Sequence, residues 1–317
     1  MEVFQVFDRP AFQSFYSVAG RLLFIESHDQ KLRNLIVDLF AGWQLTPVPE
    51  PHRSPDIRIN FSSGETAREI NRDLNHFDVA EGGKCYTDGA DFYLLLGNAV
   101  VHLQNGTPLT IDVSLSELPR AGDAMFARAT SFAVCAGLRR FGLFDLHSAG
   151  VVDPRDGKGV LIVGPSGSGK STLAVQLASA GWSYLSDDEL LLSFGEGAVE
   201  ARGFRSFFAT STEDALKHCF EPDTVLGVRR TPKVFPGLVL FTSLNNESDS
   251  RLCKLTQAET MMRLIRACPW ATYDTAIASD NLRVLSALAR QAIGFDLAAG
   301  RDLLVPGFAS HLLSRQN

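Results

Sequence analysis

No segment of the 317-residue chain approaches the ~18 uninterrupted apolar residues of a membrane-spanning helix, so no membrane partner is expected. Met1-Glu2-Val3-Phe4 brings no basic stretch followed by an apolar one, so no secretory signal is expected and the reading is cytoplasmic. The 5 cysteines (Cys85, Cys135, Cys219, Cys253, Cys268) are scattered, odd in number and without C-x-x-C spacing. That argues against a disulfide framework and against a zinc site. Basic residues are not in excess: 30 Lys and Arg against 36 Asp and Glu leave a net charge of −6, which disfavours nucleic acid as a partner. Internal repeats and low-complexity tracts are also missing. Asn60, Asn105 and Asn246 open N-x-[ST] triplets, which without a secretory signal are chance matches.

What remains is an ordinary globular composition, 45% hydrophobic and 21% charged, and a length suited to roughly two domains or one large α/β domain with an appendage. Residues 1–120 read as a smaller α+β module for recognition or assembly, and 121–317 as the domain that carries chemistry. In the first, Leu32, Leu35, Ile36, Leu39 and Phe40 fall on one face of a helix over 31–43. Strands are predicted at 21–26, 56–61, 91–96, 99–103 and 109–113, with Gly97-Asn98 as a hairpin turn. Prolines 47, 49, 51 and 55 exclude a helix or central strand between them. A second helix is predicted over 122–141. Beyond it, 148–152 and 159–163 read as a hairpin, followed by a helix to 180 and strands at 182–185, 190–194, 198–201 and 238–242. Helices at 256–267 and 280–292 and a strand near Phe295 close the pattern.

The strongest signal is Gly164-Pro165-Ser166-Gly167-Ser168-Gly169-Lys170-Ser171-Thr172. It follows the apolar run 159–163 and opens the helix-like 173–178, which is G-x-x-x-x-G-K-[ST] in its required strand–loop–helix setting. Glycines let such a loop curl until successive backbone N–H groups point at phosphate oxygens. The helix behind it adds free N–H groups and a positive dipole end. Lys170 is placed to reach the β/γ-phosphates of a nucleoside triphosphate, and the Ser171 hydroxyl to ligate Mg²⁺.

Asp187-Asp188-Glu189 follows the apolar strand 182–185, one helix beyond the loop. An acidic run alone is often a solvated turn. At a strand end in a nucleotide-binding sheet it sits where ligands bind. Phosphoryl transfer to a hydroxyl needs a metal ion and a group that takes or orients the hydroxyl proton, and two adjacent acids can divide those tasks. His147 precedes the strand paired with 159–163, close enough to tune a carboxylate. The cluster Arg229-Arg230-Thr231-Pro232-Lys233 reads either as a solvated loop or as a seat for an acidic substrate.

Together, Leu146-His147-Ser148-Ala149-Gly150, the loop 164–172, the segment 181–188 and Glu200-Ala201-Arg202-Gly203 resemble the HPr kinase/phosphorylase family and its shorter HPr-kinase-related relatives. The resemblance covers roughly 133–205. It implies an α/β fold with a P-loop kinase core of the HPr kinase and phosphoenolpyruvate carboxykinase type, built on a mixed sheet. It implies an ATP- and Mg²⁺-dependent kinase acting on a serine hydroxyl of a small protein or peptide, and a homo-oligomer. By the same resemblance, Asp187 would be the base with His147 as its partner. Asp188 and Ser171 would face the metal, Glu200 would support the metal or the acceptor, and Arg202 would neutralise phosphate charge. The segment 204–208 departs from the family pattern, so the acceptor expected is a serine-bearing peptide or small protein rather than HPr itself. Two other readings use the same residues: a kinase of a small-molecule hydroxyl, and a nucleotide-regulated binding or assembly module with little catalysis. The acidic pair and His147 argue against the last, since a pure binder needs no base.

Overall fold

Alternating apolar residues build the first sheet. The computed structural model describes residues 12–64, 74–79, 83–87, 91–211, 217–245 and 247–314; the N-terminal tetrapeptide and Asn246 discussed above lie outside them. The chain divides into two compact units, Met1–Ala41 with Leu45–Phe141, and Gly42–Gln44 with Gly142–Asn317. The first contains β1 (Phe12–Val18), β2 (Arg21–Ser27), α1 (Gln30–Ala41), β3 (Thr46–Pro47), β4 (Ile57–Ser63), β5 (Asn75–Val79), β6 (Gly83–Thr87), β7 (Phe92–Leu96), β8 (Ala99–Gln104), β9 (Leu109–Leu115) and α2 (Ala124–Arg139). Its strands form one 9-stranded mixed sheet in the order β3-β1-β2-β4-β9-β8-β7-β6-β5. Ile57, Ile59 and Phe61 of β4 and Leu109, Ile111 and Val113 of β9 are buried, the period of 2 expected of a sheet with one covered face. Helix α2 covers that face. Asp123 caps it by accepting from the Met125 and Phe126 N–H groups at 2.9 and 3.0 Å. Gly137 brings the helix against Ile111 and Ile57, within 3.0–3.2 Å of where a Cβ would stand. The helix thus belongs to the first unit, and the contact boundary falls after Phe141 rather than at the 120/121 division read from the sequence.

The second unit holds β10 (Phe144–Leu146), β11 (Ser148–Val152), β12 (Gly159–Val163), α3 (Lys170–Ser179), β13 (Ser183–Ser186), β14 (Leu190–Gly195), β15 (Ala198–Gly203), β16 (Phe208–Ser211), β17 (Lys217–Phe220), α4 (Pro222–Leu226), β18 (Lys233–Val234), β19 (Pro236–Leu244), β20 (Arg251–Lys254), α5 (Gln257–Ala267), α6 (Trp270–Tyr273), α7 (Ala278–Gln291), β21 (Ile293–Ala299) and α8 (Phe308–Ser314). A 6-stranded mixed sheet runs β13-β11-β12-β19-β21-β20, and a 4-stranded antiparallel sheet runs β10-β14-β15-β18. The hairpin of 148–152 with 159–163 forms with the in-register pairing Ser148–Val163.

Strand β12 is apolar throughout because it is covered on both faces. Val160 and Ile162 pack with Leu173, Ala174 and Leu177 of α3. Leu161 and Val163 face the other way, into a core shared with Leu190 and Leu192 of β14 and Leu285 and Leu288 of α7. Each such leucine contributes about 1.5–3 kcal/mol by leaving water. Parallel pairing of β12 with β19, and of β19 with β21, brings the C-terminal ends of three strands together beside the glycine loop. No helix among the described residues is long and apolar enough to cross a membrane.

Candidate functional site

The glycine loop leaves the end of β12 and turns directly into α3. Gly164 has no room for a side chain: a Cβ there would lie 2.4 Å from Ser168 Oγ and 2.7 Å from the Thr242 carbonyl oxygen. Gly167 and Gly169 take φ of +79° and +90°, a region that glycine enters without penalty. Gly169 is the N-cap of α3, so the N–H groups of the first turn are turned to the loop interior rather than to a capping side chain. Ser168 Oγ and Thr242 Oγ1, 3.1 Å apart, tie the loop to the end of β19. A cavity of about 490 Å³ runs along Ser166–Leu173 and continues past Leu244, Asn245, Gly300 and Leu304.

Lys170 is buried, and its ammonium donates to the carbonyls of Gly164 and Pro165 at 2.9 and 3.0 Å and to His147 Nε2 at 3.0 Å. An ammonium has only donors, so Nε2 must accept, and the ring proton is assigned to Nδ1. Nδ1 lies 3.3 Å from Asp188 Oδ1. Desolvation of the ring edge lying against the loop lowers the His147 pKa below its usual value; the Lys170 charge adds to this, and Asp188 opposes it. The imidazole is therefore a neutral link between a cation and a carboxylate.

The two aspartates diverge. Asp187 is 1% exposed and accepts from Ser171 Oγ at 2.9 Å, whereas the Asp188 side chain is 53% exposed and turns to His147. The divergence comes from the backbone: Asp188 has φ of +65°, a left-handed conformation that aspartate enters more readily than most side chains. The corner is held from below. Ser186 Oγ accepts from the N–H groups of Phe204 (3.1 Å) and Arg205 (2.8 Å) and lies 2.7 Å from the Glu189 carbonyl, to which it donates. Arg205 pairs with Glu189 at 2.8 Å and lies over the Trp43 ring at 4.8 Å. Gln44 Nε2 donates to the carbonyls of Leu185 (2.8 Å) and Arg205 (2.7 Å).

The expectation that His147 partners Asp187 is thus corrected: the side chain facing it is Asp188, and Asp187 is taken by Ser171. Glu200 and Arg202 are a second correction. They share one face of β15 and pair with each other at 2.6 Å, and Glu200 also pairs with Lys233 at 2.7 Å. In the ladder Glu200 stands opposite Ser193 and Arg202 opposite Leu191. Neither residue lines the cavity along the loop. The basic cluster supplies internal pairs: Lys233 with Glu200, and Arg230 with Asp223 at 3.2 Å.

No family model matches the sequence, and no curated protein matches it. Among solved structures, the HPr(Ser) kinase/phosphatase from Coxiella burnetii is similar. It has a TM-score of 0.34 and 13% identity, over 55% of this chain and 99% of that one. That is a distant likeness.

Sequence reasoning missed Ser186, Gln44, Trp43, Arg205 and Thr242. Gln44 lies 141 residues from the Leu185 carbonyl it bonds, so no local spacing marks it. Thr242 closes the predicted strand 238–242, and its contact with Ser168 bridges 74 residues.

Proposed function

We propose that the chain is an ATP- and Mg²⁺-dependent kinase that transfers the γ-phosphoryl group to a serine hydroxyl of a small protein or peptide. The observation that carries this is one arrangement: a Ser171–Asp187 pair and a His147–Asp188 pair flank the same loop, with the Lys170 ammonium bonded to His147 and to the loop carbonyls. The loop suits a polyphosphate, since no side chain fits at Gly164 and the α3 N-terminus is uncapped by any side chain. Ser171 Oγ and Asp187 Oδ1, 2.9 Å apart, are spaced like neighbouring ligands of an octahedral cation with ligands at about 2.1 Å, which stand about 3 Å from each other. These two residues would hold the metal, and Lys170 the β/γ-phosphates. When bound, Mg²⁺ supplies charge neutralisation on the transferring group.

Asp188 takes the role of base. It is half-exposed and so reachable by an acceptor, whereas Asp187 is buried against Ser171. The acceptor oxygen forms a bond to the γ-phosphorus while the bond to the ADP oxygen breaks, and the hydroxyl proton passes to the Asp188 carboxylate. His147 keeps that carboxylate oriented from the side of Lys170.

The test is transfer of label from γ-labelled ATP with Mg²⁺ into the peptide and small-protein fraction of the source cell, products being read by mass spectrometry. A phosphoserine product that appears with wild type and is lost in Lys170→Ala and Asp188→Asn supports the reading. Bound ATP with no labelled product in that fraction would refute the peptide or protein acceptor.

A further inference from the structure

A second cavity, of about 610 Å³, opens on the other end of the glycine loop, beside Gly164 and Pro165 instead of along Ser166–Leu173. His147 lines it, Asp188, whose Oδ1 is 3.3 Å from His147 Nδ1, lines the first, and Thr242 lines both, so the two cavities meet at the loop beside the proposed base. One wall is the C-terminal half of α5, where Arg263 and Arg266, three residues apart on a helix, present their side chains to one face. Arg263 is fixed in place: it bonds Asp296 Oδ1 at 2.6 Å and lies 5.6 Å from the Phe241 ring centroid. Arg266 has no hydrogen-bond or ion-pair partner among the described residues. In a chain of net charge −6, this wall carries two guanidinium groups against the single carboxylate of Asp296.

We propose that this cavity receives the acceptor and that Arg266, beside the pre-oriented Arg263, binds a carboxylate carried by the acceptor near its reacting hydroxyl. The inference rests on the kinase reading and adds the chemistry of the acceptor. Position favours the acceptor over the nucleotide. An in-line transfer needs the hydroxyl on the side of the γ-phosphoryl group away from ADP. The cavity along Ser166–Leu173 has the length of the loop and the helix start for the nucleotide, which leaves the Pro165 side for the attacking group. Charge favours a carboxylate over a phosphate. One uncompensated positive charge matches a monoanion, whereas a phosphate monoester brings about −1.5 to −2. A guanidinium fork also fits the two oxygens of a carboxylate. Two sources share that chemistry: an acidic residue flanking a serine in a peptide, and a free hydroxy acid.

The experiment uses the full chain with ATP and Mg²⁺ and two sets of matched probes. One is a serine-peptide library with glutamate or glutamine at each flanking position. The other is free L-serine against L-serinamide. Transfer is read by mass spectrometry, and ATP binding is measured separately by calorimetry. For wild type, the acid-bearing member of a pair should be preferred at least roughly 10-fold in kcat/KM, a value typical of a charge-assisted contact. In Arg266→Ala that preference should vanish through KM for the acceptor, with KM for ATP little changed, and Arg266→Lys should restore part of it. The probe set that is phosphorylated identifies the source. Equal transfer to acid and amide partners, or a preference that survives Arg266→Ala, overturns the proposal. A wild-type protein that binds no ATP, or binds it and phosphorylates neither member of any pair, fails at the kinase reading itself, whereas transfer without the acid preference fails only the present proposal.

Discussion

Replacing each aspartate of the corner by asparagine separates their roles. Asparagine is the right probe because Asp188 has φ of +65°, which asparagine also tolerates, so Asp188→Asn changes the charge and leaves the backbone unstrained. The Asp188 side chain is 53% exposed, so folding stability should change by no more than about 0.5 kcal/mol. Loss of a positioned base should lower kcat by about 10²–10⁴, or about 3–5 kcal/mol of barrier, with ATP affinity held within about threefold. Asp187→Asn should behave differently. Its carbonyl oxygen can still accept from Ser171 Oγ, so the stability loss should be about 1 kcal/mol, a shift of a few degrees in Tm. The missing charge should weaken Mg²⁺-dependent ATP binding by at least about 10-fold. The assays are calorimetric ATP titration with and without Mg²⁺, thermal melting, and single-turnover transfer. If Asp188→Asn keeps wild-type turnover while Asp187→Asn binds ATP·Mg²⁺ normally and is inert, exposure and contacts have misassigned the base.

Three further outcomes are expected. Gly164→Ala would set a Cβ 2.4 Å from Ser168 Oγ and 2.7 Å from a backbone oxygen, so it should cost about 1–3 kcal/mol in thermal melts and weaken ATP binding; a variant that melts and binds like wild type contradicts the close approach. Ser186→Ala leaves the Phe204 and Arg205 N–H groups and the Glu189 carbonyl without their hydroxyl partner, and chemical denaturation should show a loss of about 2–4 kcal/mol. His147 has its pKa lowered from 6.5, mainly by desolvation, so its NMR titration should run below 6.5 in the folded protein and move upward in Lys170→Met, which removes a nearby positive charge. The sign for stability follows. The unfolded state takes up the proton first, so this histidine opposes folding below its folded pKa, and that penalty fades as pH rises to 6.5. An unchanged His147 titration in Lys170→Met would show that the two groups are not in contact.

Periodicity and local chemistry were readable from the chain alone, because both act over a few residues. Leu32, Ile36 and Phe40 mark the buried face of α1, the alternation in β4 and β9 marks one covered face, and the glycines of 164–169 mark a curled loop before a helix start. Each of these expectations survives in the structure, within a residue or two at the ends. The short strands β10, β18 and β20 carry no such period and exist only because a neighbouring strand offers a ladder. The candidate site divides along the same line. Lys170 and Ser171 were legible because a motif of fixed spacing places them. Which aspartate meets His147 was not legible, because it depends on a single left-handed residue at Asp188 and on a corner pinned by Ser186, Gln44 and Arg205 from distant parts of the chain. Glu200 and Arg202 sit in a segment that resembles the site's, yet they pair with each other, Glu200 also with Lys233, and neither lines the cavity along the loop. The sequence alone determined the loop, its lysine and serine, and the strands and helix that frame them, since those follow from neighbours along the chain. Only tertiary structure decided which carboxylate is buried and which is reachable, and that Arg263 and Arg266 stand across from the loop, because these depend on distances between residues far apart in sequence.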